Sequence, residues 1–171
     1  MLKFIFEYSI IKVLPILNLP NCIDFENLFA SCENLTDLTN LSEWIYPNNA
    51  NWFGTFSFIK NLKKCPSIRM EGKGNYYQGF PFWGYNDLEY FTDFGGFIGL
   101  KYSMDKDYQL PKCPNLSYES CINILNGLYD YTGHNETPTS AQGKLKVHQN
   151  FLDLVGNEIT IAIAKGWQVS A

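Results

Sequence analysis

Phe29-Ala-Ser-Cys32-Glu-Asn-Leu35 sets a spacing that returns twice, in Leu62-Lys-Lys-Cys65-Pro-Ser-Ile68 and in Phe94-Gly-Gly-Phe97-Ile-Gly-Leu100. Each stretch reads as an apolar residue, Cys or Phe three on, and Leu or Ile three further. An aromatic stands four residues ahead of each, at Phe25, Phe58 and Tyr90. The centres fall at positions 32, 65 and 97, in nearly equal steps. A fixed period in this range predicts a stacked solenoid, because one such unit cannot bury its apolar face alone and needs a neighbour to cover it. Cys32 and Cys65 hold the place that Phe97 holds in the third stretch, so the position is read as one that packs rather than one that reacts.

Outward from these centres, Phe25, Leu28, Phe29 and Cys32 fall at i, i+3, i+4 and i+7, the stripe of an amphipathic helix that Asp24 would cap. A short strand is expected after it, from Leu35 to about Asn40. The second unit predicts a helix over about 55–62, a break at Cys65-Pro66 and a strand through Ile68 and Met70. In the third, Asp87, Leu88, Tyr90, Phe91 and Phe94 form the helical stripe, Gly95 and Gly96 end it, and Leu100 to Met104 is the strand. Cys113-Pro114-Asn115-Leu116 repeats the C-x-x-L half of the motif and is read as a variant turn after a strand near Tyr108 to Leu110. Ser117 opens a helix through about Leu128, with Cys121, Ile124, Leu125 and Leu128 inward and Glu119 suited to the helix dipole. Residues 131–143 are predicted as an exposed loop and Lys144 to Val147 as a strand. Asn157 to Ala164 reads as a helix, Gly166 as its left-handed terminator and Trp167-Gln168-Val169 as a closing strand that caps the stack.

With 171 residues, 46% of them apolar, the chain suits one folded domain over 1–171, with irregular repeats over about 13–104 and C-terminal repeats and cap over about 105–171. A net charge of −4 supplies no basic footprint, so nucleic acid and anionic membrane are not the partners to expect. Met1 to Pro20 is apolar but interrupted by Glu7 and Lys12, and is read as a buried strand or helix rather than a signal peptide or membrane span. Five cysteines without a C-x-x-C pair and only two histidines do not compose a zinc site. Free, buried, inert thiols are the expectation, although pairing between stacked equivalents stays open until geometry is known. No metal and no cofactor is implied.

These repeats, with the ending Leu116-Ser-Tyr-Glu-Ser-Cys-Ile-Asn-Ile-Leu-Asn-Gly-Leu128 and Ala162-Ile-Ala-Lys-Gly-Trp167, resemble bacterial leucine-rich repeat proteins of the BspA type, found in gut commensals and their phages. The resemblance spans roughly Val13 to Val169. It implies an α/β solenoid with a short parallel strand ladder, helices on the opposite side and a C-terminal cap. The family's copies are shorter than these and usually place Asn before Cys, whereas Ser31 and Lys64 stand there here. It brings no catalytic residues. It implies a non-catalytic recognition or adhesion module that binds a protein or glycan at a bacterial surface, or, alternatively, a structural component of a phage virion such as a fibre or tail-associated protein, with homo-oligomer or virion partners. Either role is extracellular. The lack of a recognisable polar N-terminal cap points to truncation or to a partner covering that end.

The one group of residues with functional pull is the aromatic stretch Tyr76, Tyr77, Phe82, Trp83 and Tyr85, set among glycines, whose rings would stack on sugars or anchor a protein partner. The alternative is that this insertion folds back and buries them, since so many exposed aromatics invite aggregation. Trp44 and Trp52 form a smaller cluster with the same two readings. His134 and His148 lack a neighbouring nucleophile, Asp105 and Asp107 offer too few oxygens for a hard cation, and the glycine pairs lack the context of a phosphate loop. Four Asn-x-Ser/Thr sequons begin at Asn34, Asn40, Asn115 and Asn135; Leu35 and Leu116 within them are assigned to the core, and a bacterial or phage source would not use them. An enzyme remains the third expectation, to be revived only by converging carboxylates or a Cys-His contact.

Overall fold

The structure is a computed structural model that describes residues 6, 9–70, 81–82, 88–105 and 109–171. It is a mixed α/β arrangement of short parallel strand pairs and helices. In chain order these are β1 (Lys64–Cys65), β2 (Ile68–Arg69), β3 (Asp93–Phe94), β4 (Phe97–Ile98), α1 (Tyr118–Gly127), β5 (Lys144–Lys146), α2 (Gln149–Val155), α3 (Thr160–Ala164) and β6 (Gln168–Ser170). β1 pairs with β3, β2 with β4 and β5 with β6, all parallel. Single parallel bridges extend the pattern: Asn18 to Ile45, Asp24 to Asn51, Asp37 to Lys64, Leu100 to Leu128 and Met104 to Leu145.

As far as Leu128 these pairings recur at separations of 27–29 residues; beyond it the step changes, to 41 from Met104 to Leu145 and 24 in β5–β6. The partners in the first three bridges are 27 residues apart, as is the side-chain bond from Asn51 Nδ2 to Asp24 Oδ1. In β1–β3 and β2–β4 the step is 29, the same as from Asn123 Nδ2 to the Phe94 carbonyl. Further side chains bond to carbonyls of a neighbouring segment across comparable distances in sequence: Asn40 Nδ2 to Leu14 O (26), Thr55 Oγ1 to Phe25 O (30) and Ser120 Oγ to Thr92 O (28).

This register corrects the one expected from the cysteines. Cys65 stands opposite Phe94, and its neighbour Lys64 opposite Asp37, so Cys65 takes the place of Leu38 and not of Cys32. Phe97 stands opposite Ile68. Carried along the ladder, the residues equivalent to Cys32 are Ile59, Leu88 and Cys113, each three before a buried Leu35, Leu62, Phe91 or Leu116. The Ser117 amide donating to the Thr92 carbonyl, and Asn115 Nδ2 donating to the Glu89 carbonyl, tie the last of these in place.

The helices expected over 24–32 and 55–62 are tandem turns, and in the third unit residues 88–92 lead directly into β3, so no helix forms there either. In a helix each amide would bond four residues back. Here Phe25, Asn27, Phe29 and Ser31 donate instead to the Asn51, Phe53, Thr55 and Ser57 carbonyls at 2.8–3.1 Å, while Leu28, Ala30 and Cys32 close turns on Phe25, Asn27 and Phe29. The turns need positive φ, and the same two places supply it in both segments: Asn27 (55°) and Gly54 (61°), then Ser31 (59°) and Phe58 (60°). A Cβ on Gly54 would meet Asn27 Oδ1, so a side chain there would force the Asn27 carboxamide aside where the segments touch. The stripe Phe25, Leu28, Phe29 and Cys32 is nonetheless fully buried, so the apolar spacing identifies the inward residues while misreading the backbone that carries them.

The core is built on a column of rings. Phe6, Phe29, Phe56 and Phe82 stack in turn at centroid distances of 4.9, 5.9 and 5.9 Å, with ring planes 1°, 15° and 26° apart. Phe25, Trp44 and Trp52 pack beside it. Residues 9–20 are not the buried strand or helix expected: Leu14 is buried, but Ile10, Val13 and Ile16 are exposed. Leu110–Lys112 is a single 3-10 turn in place of the end of a strand.

The C-terminal third follows the sequence closely. Ser117 caps α1 by accepting from the Ser120 amide at 3.2 Å, and Cys121, Ile124 and Leu125 face inward. β5, α3 and β6 fall where expected, and α2, capped by His148 Nδ1, lies where no element was predicted. In the Lys-Gly-Trp ending, Lys165 Nζ donates to the Leu125, Asn126 and Leu128 carbonyls at the end of α1, at 3.2, 2.5 and 3.2 Å. Gly166 turns at φ 86°, and buried Trp167 donates its Nε1 to the Tyr129 carbonyl at 2.8 Å. Gly127 meets its neighbour so closely that an added Cβ would overlap the Phe97 carbonyl oxygen.

Two thermal-melt results are expected. Phe56→Ala removes the middle of the ring column and should cost about 3–5 kcal/mol. Gly127→Ala must push two backbones apart and should cost at least about 2 kcal/mol, although alanine ordinarily favours a helix.

Candidate functional site

Of the five aromatic residues singled out in the sequence, Tyr76, Tyr77, Trp83 and Tyr85 lie outside the described residues. Phe82 is a correction: it is wholly buried, stacked on Phe56 and 5.2 Å from Phe91, so it serves the core and offers no face to a ligand. Trp44 and Trp52 are buried as well. Aromatic content alone could not separate core rings from displayed ones; their place in the register of the ladder would have.

The same register produces a surface the aromatics did not announce. Where Leu38, Cys65 and Phe94 turn inward, Asp37, Lys64 and Asp93 turn outward, in line across three segments. Four residues ahead of each stand Glu33, Lys60 and Glu89, all exposed. Both columns alternate acid, base, acid. Lys60 Nζ is 3.1 Å from Glu33, and Lys64 Nζ is 4.0 Å from Asp93. More than half of each of these side chains is open to solvent, so each pair contributes only about 0.2–1 kcal/mol, but both favour one alignment of the segments over a slipped one.

Beside the Asp37–Lys64–Asp93 line runs a groove of about 360 Å³ that reaches from Thr39 and Ser42, past Lys64, Pro66, Asp93 and Gly95, to Ser117, Glu119 and Asn123. A second groove of similar size shares Ser42 and Pro66 with it and continues to Tyr46, Arg69, Ile45 and Ile98. Together they form one track of mixed character, with hydroxyls, carboxylates and a carboxamide toward one end and an arginine, a tyrosine and two isoleucines toward the other. Arg69 Nη1 donates to Asn48 Oδ1 at 2.9 Å, and the half-buried Tyr46 hydroxyl lies 3.4 Å from the Arg69 amide; burial raises the Tyr46 pKa. The backbones of Ile45 and Ile98 are held by pairing with Asn18 and Arg69, and their exposed side chains line the second groove.

The residues weighed for chemistry have other roles. All five cysteines are free and buried. Burial pushes the Cys121 thiol up to about 12 and also raises Cys65 and Cys113, the reverse of what a nucleophile requires. His134 stacks on the Tyr129 ring at 5.0 Å, Lys101 lies over that ring at 4.4 Å, and Glu136 joins Lys101 at 2.6 Å and the Tyr129 hydroxyl at 2.9 Å, so this cluster pins the 129–136 loop. The hydrogen bond from Lys101 holds the Glu136 carboxyl below its ordinary range. Among the described residues no three His, Cys, Asp or Glu side chains converge as a metal site would need, and no helix is long and apolar enough to cross a membrane. The chain matches no protein-family model, no curated protein and no solved structure.

Two measurements test this description. Lys64→Glu places three carboxylates in line and should lower stability by about 1 kcal/mol at low salt; the loss should shrink at about 1 M salt, where the screening length falls to about 3 Å. A thiol-reactive disulfide reagent should leave the native protein unlabelled at pH 8 and titrate all five cysteines once denaturant is added.

Proposed function

We propose that the chain is a leucine-rich-repeat-like solenoid and a non-catalytic recognition module, with the continuous track beside its strand ladder as the working surface for a protein partner. The observation that carries this reading is the track itself. It crosses successive segments held in parallel register, and its exposed hydroxyls, Glu119, Arg69 and isoleucines are spread along it as a partner-binding face requires. The recurrence of backbone partners at two nearly equal sequence separations supports the solenoid, as does the buried Cys/Ile/Leu-x-x-Leu/Phe series at 32, 59, 88 and 113. The raised thiol pKa values and the structural roles of His134 and His148 are in keeping with binding rather than catalysis. On this reading the module acts outside a bacterial cell or on a phage particle. The virion role is favoured by one observation, the exposed Ile10, Val13, Ile16 and Ile23 along one strip of chain, an apolar flank of the kind that assemblies bury.

The test is a panel of purified cell-surface and secreted proteins probed with the wild type and with a Ser42→Arg, Glu119→Arg variant. A partner whose binding falls at least about tenfold in the variant, at an unchanged melting temperature, supports the track. Equal binding by both removes the track from the function. For the solenoid, deletion of 36–62 joins Leu35 to Lys63 in register and should leave a cooperatively melting protein, whereas a deletion that breaks the register should not fold.

A further inference from the structure

A separate concavity of about 310 Å³ shares no residue with the track and is lined by Glu33, Asn34, Thr36, Asn61, Lys63 and Tyr90. The backbone register builds it. Leu35, Leu62 and Phe91 are fully buried at equivalent places, so the residues on either side of each face outward: Asn34 and Thr36, Asn61 and Lys63, and Tyr90. Asn34 and Asn61 form two rungs of one column, and in the third segment the column carries an aromatic ring instead of a carboxamide. Adjacent hydrogen-bonded segments lie about 4.8 Å apart, which sets Tyr90 about 10 Å from Asn34 along the column.

The chemistry of this set is specific. Tyr90 leaves 53% of its surface open, whereas Phe82, Trp44 and Trp52 are buried. An exposed ring face binds the C–H face of a saturated ring, and two planar carboxamides each offer a donor and an acceptor to neighbouring hydroxyls. Thr36 adds a hydroxyl and Lys63 a donor, and the lining holds one carboxylate, Glu33, and one ammonium, Lys63, so its formal charges sum to zero. It contains no aliphatic side chain to receive a protein anchor, unlike the track with Ile45 and Ile98. We propose that this concavity is a glycan-binding site: Tyr90 stacks under one sugar ring while Asn61 and Asn34 hold the hydroxyls of that ring and the next. This goes beyond the protein-binding track and stands independently of it.

The experiment is an array of immobilised oligosaccharides probed with five proteins whose melts are first shown to agree: wild type, Tyr90→Ala, Tyr90→Phe, the Asn34→Ala, Asn61→Ala double variant and the Ser42→Arg, Glu119→Arg variant. Wild type should bind a restricted set of glycans. Tyr90→Ala and the double variant should each lose about tenfold or more in affinity for them, and Tyr90→Phe, which keeps the ring, should stay within about threefold. An array with no bound glycan overturns the proposal, as does binding that survives Tyr90→Ala and the double variant unchanged. Glycan binding abolished only by Ser42→Arg, Glu119→Arg would overturn it too, by moving the sugar to the track and leaving the recognition role intact.

Discussion

The fold rests on where the backbone amides of the first half of the chain find their acceptors. Over 25–31 alternate amides donate to carbonyls of the 51–57 segment rather than to their own, and buried side chains such as Thr55 and Ser120 bond to neighbouring carbonyls in the same way. A buried amide without a partner costs about 1–3 kcal/mol, so each segment is stable only with the next one beside it. The ring column, the Asn27–Gly54 contact and the charge columns all depend on that alignment: none would form if a segment slid by one residue, since its inward and outward residues would exchange.

That dependence explains what the sequence disclosed and what it concealed. Burial was legible, because apolar spacing marks inward residues whatever the backbone does between them; Phe25, Leu28, Phe29 and Cys32 are buried although they lie in turns. α1 was legible down to its Ser117 cap, because a local helix obeys local rules. The register was not. Matching the cysteines sets too long a step, since the backbone pairs Asp37 with Lys64 and Cys65 with Phe94, and Asn-Leu, which recurs in register at 34, 61 and 115, stands also at 18, 27 and 40. Only partners distant in sequence decide between such repeats. For the same reason the track and the Tyr90 concavity had no signature, being assembled from single residues in three or four segments.

The C-terminus solves a different problem. α1 ends with carbonyls that lack helical partners, and Lys165 meets three of them with one ammonium. Burial lowers the Lys165 pKa, while the Asp130 carboxylate acts in the opposite direction. Gly166 then reverses the chain so that Trp167 covers the last apolar layer and β6 pairs with β5. Three adjacent residues thereby close the helix, turn the chain and seal the core, which accounts for their appearance as a compact motif.

The alternating columns Glu33–Lys60–Glu89 and Asp37–Lys64–Asp93 have a bearing on kinetics. Each column holds two carboxylates and one ammonium, so the two together carry about −2, half of the chain's net charge of −4, and at physiological salt their field reaches about 8 Å into solution. A partner with a basic patch is drawn to it within that range, and more strongly at low salt. Raising the salt therefore slows association of a basic partner there, while discrimination among partners of like charge falls to how long each stays once in contact.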